Sequence, residues 1–204
     1  RNARCRAASS SASNDSSVRG AGDSKTTQPT SHIGPLWSAN GKEIVFASSH
    51  VLVAMTVEDL SSEVTEGEES ILKAGTQRFF NGHSADVAAM CLSSRGRLLA
   101  SAQVGQPCVV RIWDFATTEC LSMLAGAPAR GVHGSLCLDF SADGALLCVA
   151  GRDDHGRQQI VLWDVSQVFS GGTQNIVARQ TSEFDVKRIY FSPFDTRRLV
   201  SCGE

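Results

Sequence analysis

The stretch Gly82 to Asp114 constrains the fold of this chain more than any other. It begins with Gly-His, ends with Trp-Asp, and between them holds three short apolar runs separated by polar residues. Short apolar runs bounded by polar, glycine-containing turns are typical of consecutive antiparallel strands. The pattern therefore predicts three strands, at Val87–Leu92, Leu98–Ala102 and Val109–Trp113.

A similar pattern recurs on both sides of this stretch. The turn glycines Gly96 and Gly144 are 48 residues apart, and Trp113 and Trp163 are 50 apart. Self-similarity at such a period indicates a repeat protein. In the first unit Met55 occupies the place of Trp113. The predicted units span about 32–81, 82–125, 131–180 and, incompletely, 185–204.

The Gly-His…Trp-Asp frame around three strands resembles the WD40 repeat, the blade of a β-propeller. The resemblance implies an all-β fold in which four-stranded blades pack face to face around an axis. Propellers close with about 4 to 8 blades, whereas about three and a half are predicted here. We therefore expect a WD40 propeller fragment whose ring is completed by residues outside this chain. The lack of an initiator methionine likewise predicts that the chain begins within a longer protein.

Two segments depart from the repeat pattern. Residues 1–31 are rich in Ser, Ala, Gly and Asn and carry almost no bulky apolar side chain. Such a composition cannot offset the entropy of ordering, so it predicts a disordered Ser-rich linker. Residues 61–70 form an acidic run that interrupts the first unit. We interpret this run as a solvated loop, with an acidic docking site as the alternative.

Charge and cysteine usage exclude several classes of function. The net charge of −2 opposes general nucleic-acid binding, and no apolar run reaches the roughly 18 residues that span a bilayer. The seven cysteines include no C-x-x-C pair, so neither a disulfide framework nor a zinc site is expected. We expect no cofactor and no small-molecule substrate. Five cysteines fall in predicted strands, where they should be buried: Cys91, Cys120, Cys137, Cys148 and Cys202.

Neither of two polar groupings has the pattern of a reactive site. His133 lies near Ser135, but Ser135 is outside any G-x-S-x-G turn and leads into an apolar strand. Asp153, Asp154 and His155 are adjacent on a predicted hairpin, where neighbouring side chains diverge and supply too few metal ligands. We therefore predict a chain that is not an enzyme and has no metal site.

The WD40 resemblance implies structural roles for six residues: His83, Ser101, Trp113, Asp114, Trp163 and Asp164. In this family the His, Ser and Trp join a buried hydrogen-bond network with an Asp from the turn between the second and third strands. The corresponding turn, 103–107, has no Asp, so a partial network is expected. In the third unit Gly131 and Val149 replace the His and Ser, so Trp163 would need another partner.

The loops between second and third strands and those between successive units should share one rim of a propeller. A mixture of arginine, acid and aromatic side chains suits a protein interface, although an ordinary solvated rim is the alternative. The predicted protein-interaction rim consists of Gln106, Arg130, His133, Arg152, Asp154, His155, Arg157, Phe184 and Asp185.

Longer phrases are similar to a narrower group, the multi-propeller WD-repeat proteins of centrioles and ciliary basal bodies. These phrases include QRFFNGHSADV, SADGALLCVAGRDDHGR and SPFDTRRLVSCG. The resemblance implies a cytoskeletal scaffold at the centriole or cilium, with tubulin or centriole inner-wall proteins as partners. The microtubule-contacting domain of that group lies upstream of its propellers and matches no residue here. The alternative is an adaptor that recognises a peptide or degron for a ubiquitin ligase or signalling complex.

Overall fold

The computed structural model describes residues 33–57, 75–105, 108–128, 136–153 and 155–203. These ranges contain fourteen β-strands and a single 3₁₀ turn, Val168–Ser170. No helix within them is long and apolar enough to cross a bilayer. The strands are β1 Leu36–Trp37, β2 Glu43–Ser48, β3 Val51–Thr56, β4 Gln77–Phe80, β5 Val87–Leu92, β6 Leu98–Gln103, β7 Cys108–Asp114, β8 Cys120–Ala127, β9 Cys137–Phe140, β10 Leu146–Arg152, β11 Gln158–Asp164, β12 Asn175–Thr181, β13 Val186–Phe191 and β14 Leu199–Gly203.

Within each sheet, every strand pairs with its neighbours in sequence. β1–β4, β5–β8 and β9–β12 form three four-stranded antiparallel sheets, and β13 and β14 form a two-stranded hairpin. β5 has the predicted bounds, while β6 and β7 extend the prediction by one or two residues, to Gln103 and Cys108–Asp114. The predicted all-β class is therefore confirmed.

The same turn joins the first and second strands of each four-stranded sheet. Its glycine N–H donates to a serine carbonyl three residues earlier, at 2.8 to 2.9 Å. The glycine φ lies between 67° and 75°, a left-handed conformation that glycine adopts without a steric penalty. The serine hydroxyl accepts a hydrogen bond from the next strand at 2.9 to 3.0 Å. The pairs are Ser38–Gly41, Ser93–Gly96 and Ser141–Gly144.

Three apolar clusters lie between successive sheets. One joins Leu52 and Phe80 of the first sheet to Leu99 and Trp113 of the second. Another joins the second sheet to the third, and the last joins the third sheet to the hairpin. Because adjacent residues of a strand point to opposite faces, Leu99 faces the first sheet and Leu98 the third. This explains why β6 is buried along its whole length.

The innermost strands of all four units line one groove of about 610 Å³. The groove is bordered by β1, β5, β9 and β13, so the units are arranged radially about it. Face-to-face packing of meander sheets around a shared axis is the architecture of β-propeller blades. The described strands do not close a ring, which agrees with the predicted WD40 propeller fragment.

The predicted linker 1–31 and most of the loop predicted before β4, including residues 61–70, lie outside the described residues. The bounds of the units stay predictions. The prediction that strand cysteines are buried holds for Cys91 and Cys148, whereas Cys137 is only half-buried, and it is wrong for Cys120 and Cys202, which are exposed. β8 is an outermost strand and β14 is at a hairpin edge, so neither has a neighbour on every side. Burial raises the pKa of Cys148 to about 12.

Candidate functional site

A chain of buried hydrogen bonds crosses the second sheet. The indole N–H of Trp113 donates to Ser101 Oγ at 2.8 Å. Ser101 Oγ lies 2.7 Å from His83 Nε2, and His83 Nδ1 lies 2.9 Å from Gln103 Oε1. Indole nitrogen only donates and an amide oxygen only accepts. Hydrogen-bond donation therefore runs from Trp113 to Ser101, from Ser101 to His83 and from His83 to Gln103.

Gln103 corrects the expectation of a partial network. Its amide oxygen accepts from His83 and also from the Ser84 backbone N–H at 3.2 Å. Its amide nitrogen donates to Ser84 Oγ at 3.2 Å. The WD40 resemblance predicts an acid in the turn as acceptor, whereas the acceptor in this chain is the amide of the last residue of β6. Because Ser101 and Gln103 are two positions apart on one strand, their shared face was a signal that could have identified the pair.

The network carries no charge. Burial, with a smaller contribution from the Arg111 cation, lowers the pKa of His83 and favours its neutral form. The Trp113 ring also meets Phe80 of the first sheet edge-on, with centroids 5.9 Å apart. Ser101 is fully buried, so its hydroxyl is not accessible to a substrate. The arrangement can fix the loop before β5 against the sheet.

The third sheet lacks the polar members of this network at the matching positions. Trp163 is buried and pairs in register with Leu147 across β10 and β11. Val149 takes the place of the serine and has no polar side-chain atom, and Gly131 lies outside the described residues. In the described part of the chain, the third sheet therefore shows apolar packing at positions where the second sheet has hydrogen bonds.

The aspartates that follow the two tryptophans organise turns. Asp114 Oδ1 accepts from the Ala116 N–H at 2.8 Å, and Asp164 Oδ1 accepts from the Ser166 N–H at 2.9 Å. Hydrogen bonds from the side chain and from the backbone N–H of Ser166 lower the pKa of Asp164. Both carboxylates therefore accept backbone hydrogen bonds that stabilise the turn after the third strand of their sheet.

Four of the predicted rim residues lie outside the described part of the chain: Gln106, Arg130, His133 and Asp154. Among the others, Arg152 forms an ion pair with Asp185, which links the third sheet to the segment before the hairpin. Arg157 pairs with Asp153 at 2.9 Å. His155 is exposed, and Phe184 is 67% exposed.

The structure brings three of the predicted rim residues to one groove of about 670 Å³. His155 and Phe184 do not line it. The groove lies at the ends of β10 and β11, beside the segment that leads from β12 to β13. It is lined by Arg152, Arg157, Gln158, Thr181, Ser182, Glu183 and Asp185.

Two further residues of this region, Asp153 and Gln158, were not among the predicted rim residues. Asp153 accepts hydrogen bonds from the backbone of His155 and Arg157 and from the Gln159 amide at 3.0 Å. Gln158 is only 4% exposed, and its amide nitrogen and oxygen have no hydrogen-bond partner among the described residues. A glutamine beside a polar loop gives no sequence signal of burial, since glutamine is mostly exposed in proteins.

Comparison with known proteins identifies the repeat. Residues 75–114 match the family model described as "WD domain, G-beta repeat". This match covers β4 to β7 and includes His83, Ser101 and Trp113.

Longer similarities extend over most of the chain. WD repeat-containing protein 90 of mouse is 36% identical over 82% of this chain, and its human counterpart is 37% identical over 83%. Centriole proteome protein 16 of Chlamydomonas reinhardtii is 36% identical over 82% of the chain. The chain spans 8 to 9% of the length of these relatives.

Proposed function

Because the chain belongs to the WD40-repeat proteins, we propose that it is a non-enzymatic interaction module of a centriolar or ciliary microtubule-associated WD-repeat protein. The observation that carries the proposal is the 36% identity, over 82% of the chain, to a relative named as a centriole proteome protein. In this role the chain supports centriole or axoneme architecture by holding other proteins, such as tubulin or inner-wall proteins, against its rims.

The geometry supports an interaction module in two ways. The Trp113, Ser101, His83 and Gln103 side chains of the second sheet are buried and hydrogen-bonded to one another, so they contribute to rigidity. The loops at the ends of the strands expose large side chains, among them Phe184 and Phe194. A rigid scaffold that presents aromatic and arginine side chains on its loops suits protein recognition.

Localisation of the full chain, fused to a fluorescent protein in ciliated cells, tests the proposal. Expansion microscopy should show enrichment on the centriole wall or along the axoneme. A diffuse signal from a folded fusion protein would overturn the proposal. Co-purification with ubiquitin-ligase subunits, without centriolar partners, would overturn it in favour of the adaptor.

A matched pair of variants tests which edge makes the contact. Phe184 and Phe194 lie just before and just after β13, at opposite ends of that strand, and are 67% and 96% exposed. Phe184→Ser should reduce enrichment several-fold because it removes an aromatic anchor from the predicted rim, whereas Phe194→Ser should leave enrichment unchanged. Equal effects of the two substitutions would contradict the assignment of this rim.

A further inference from the structure

The first sheet has an apolar face that no other described part of the chain covers. Side chains alternate along a strand, and one set, including Leu52 and Phe80, packs on the second sheet. Among the described residues, none of the apolar side chains on the opposite face belongs to a cluster between sheets. The cross-strand register places them in two rows, Trp37–Ile44–Met55 and Phe46–Val53–Phe79.

The chemistry of this free face selects the kind of surface that covers it. Its other strand positions are Ser48, Val51 and Gln77, so the face carries no charged side chain. An uncharged face does not attract nucleic acid or other polyanions. Trp37 and Phe79 are 62% and 49% exposed, and an apolar surface of this kind marks a protein contact. Rows of side chains across paired strands are buried best by another sheet that packs face to face.

The terminal hairpin presents a second free sheet face. One face of β13 and β14 packs on the third sheet. The opposite face contains the cross-strand pairs Arg188–Cys202 and Tyr190–Val200, and Tyr190 and Val200 are 51% and 64% exposed. Arg188 is the only charged residue of these pairs, and its guanidinium donates to the Tyr190 hydroxyl at 3.2 Å. A guanidinium packs favourably on aromatic rings, which the free face of the first sheet supplies.

We propose that a second copy of this chain covers the free face of the first sheet with the free face of its hairpin. The two faces differ, so the contact is heterologous, and heterologous contacts close into a ring when the rotation between copies allows it. Each copy supplies three four-stranded sheets and one hairpin, so two copies supply eight units. Propellers close with about 4 to 8 blades. A symmetric pairing of two first sheets would instead leave both hairpins uncovered.

Analytical ultracentrifugation of the full chain over a range of concentrations tests this assembly. We expect a reversible dimer with a dissociation constant of about 10 µM, so that the chain is mostly monomeric at about 1 µM and mostly dimeric at about 100 µM. Stability measurements at the lower concentration then report on the monomer. A chain that stays monomeric throughout, or that forms larger open assemblies, overturns the proposal. This measurement requires no variant.

Substitutions in the two faces test which surfaces meet. Phe79→Lys and Val200→Lys should each raise the dissociation constant at least about tenfold, because an unpaired ammonium would be buried in an apolar contact. Phe194→Lys is the matched control, since Phe194 is 96% exposed and lies in the turn after β13, outside both faces. It should leave the constant unchanged. A Val200→Lys chain that dimerises as well as the wild type overturns the proposal.

A mixture of the two variants tests the heterologous geometry. Every contact within either variant alone includes one altered face. The mixture also allows a contact between the unaltered hairpin of Phe79→Lys and the unaltered first sheet of Val200→Lys. We therefore expect the mixture to contain more dimer than either variant alone. Absence of this recovery, with circular dichroism spectra that match the wild type, overturns the proposal.

The outcomes separate this proposal from the proposed function. A monomeric chain that is enriched on the centriole wall overturns the assembly alone. A dimeric chain that stays diffuse in ciliated cells supports the assembly and overturns the centriolar role alone.

Discussion

The second and third sheets use their polar groups differently. In the second sheet, the buried polar chain from Trp113 to Gln103 stays within one unit and carries no charge. In the third sheet, Asp139 Oδ2 accepts from the backbone N–H of Phe191 in the hairpin at 2.6 Å. Arg152 reaches across in the same direction to Asp185. The buried network of the second sheet therefore holds that sheet together, whereas Asp139 and Arg152 of the third sheet hold the neighbouring hairpin.

This difference predicts which part of the fold should respond to salt concentration. Neutral, fully buried hydrogen bonds are insensitive to salt, whereas partly exposed ion pairs are screened by it. We therefore expect the docking of the hairpin to depend on salt more than the second sheet does. Four predictions test this contrast.

Trp113→Ala should have the largest effect. Trp113 is almost fully buried between the first and second sheets and donates to Ser101, so the substitution should lower the free energy of unfolding by about 3–5 kcal/mol. Trp37→Ala, at a residue that is 62% exposed, should lower it by less than about 1 kcal/mol. Denaturant unfolding measures both variants, and similar losses would contradict the assigned core.

Ser101→Ala should come next. It leaves the Trp113 N–H and His83 Nε2 without partners in a buried site, so we expect a loss of about 2–3 kcal/mol in unfolding free energy. Ser201→Ala makes the same change at an exposed strand position and should stay within about 0.5 kcal/mol of the wild type. A small loss in Ser101→Ala would mean that water replaces the hydroxyl, and the network would not hold the second sheet.

A double-mutant cycle on Arg152 and Asp185 should give a smaller value. Their side chains are 27% and 29% exposed, so a coupling of about 0.5–1 kcal/mol is expected at low salt, with a decrease at high salt. The Arg198 and Asp195 pair is 81% and 40% exposed and should show almost no coupling. Equal coupling energies in the two cycles would contradict the role of the Arg152–Asp185 pair in docking the hairpin.

The smallest effects should be two pH slopes of opposite sign. Burial lowers the pKa of His83, so the stability from neutral His83 is present above the ordinary value of 6.5 and is lost as pH falls below it. Burial raises the pKa of Asp139, so stability falls as pH rises from the ordinary value of 3.8 through the higher folded value.

Denaturant midpoints measured from acid to neutral pH check both slopes. His83→Gln should flatten the profile below pH 6.5, and Asp139→Asn should flatten it just above pH 3.8. If either substitution flattened the stability profile in both pH ranges, His83 and Asp139 would titrate as one coupled unit. That result would contradict the contrast between the second and third sheets.

Strand positions were predictable because their signals are local. The apolar runs and the Ser…Gly turns lie within a few residues of each other, so β5 was predicted with its observed bounds. The closing acceptor Gln103 was missed because a different residue type performs the expected role. The exposure of Cys202 was missed because strand membership does not reveal whether a neighbouring strand covers it.

By itself, the sequence determined the all-β class, the order of the strands and the repeat of sheet and turn. Short apolar runs and left-handed turn glycines act within one hairpin, so they can be identified along the chain. Only the tertiary structure decided that Gln103 completes the buried network, that Arg152 faces Asp185, and that the Gln158 amide is buried with no partner among the described residues. Burial and hydrogen bonding depend on contacts between segments distant in sequence, and those contacts exist only after the sheets have packed.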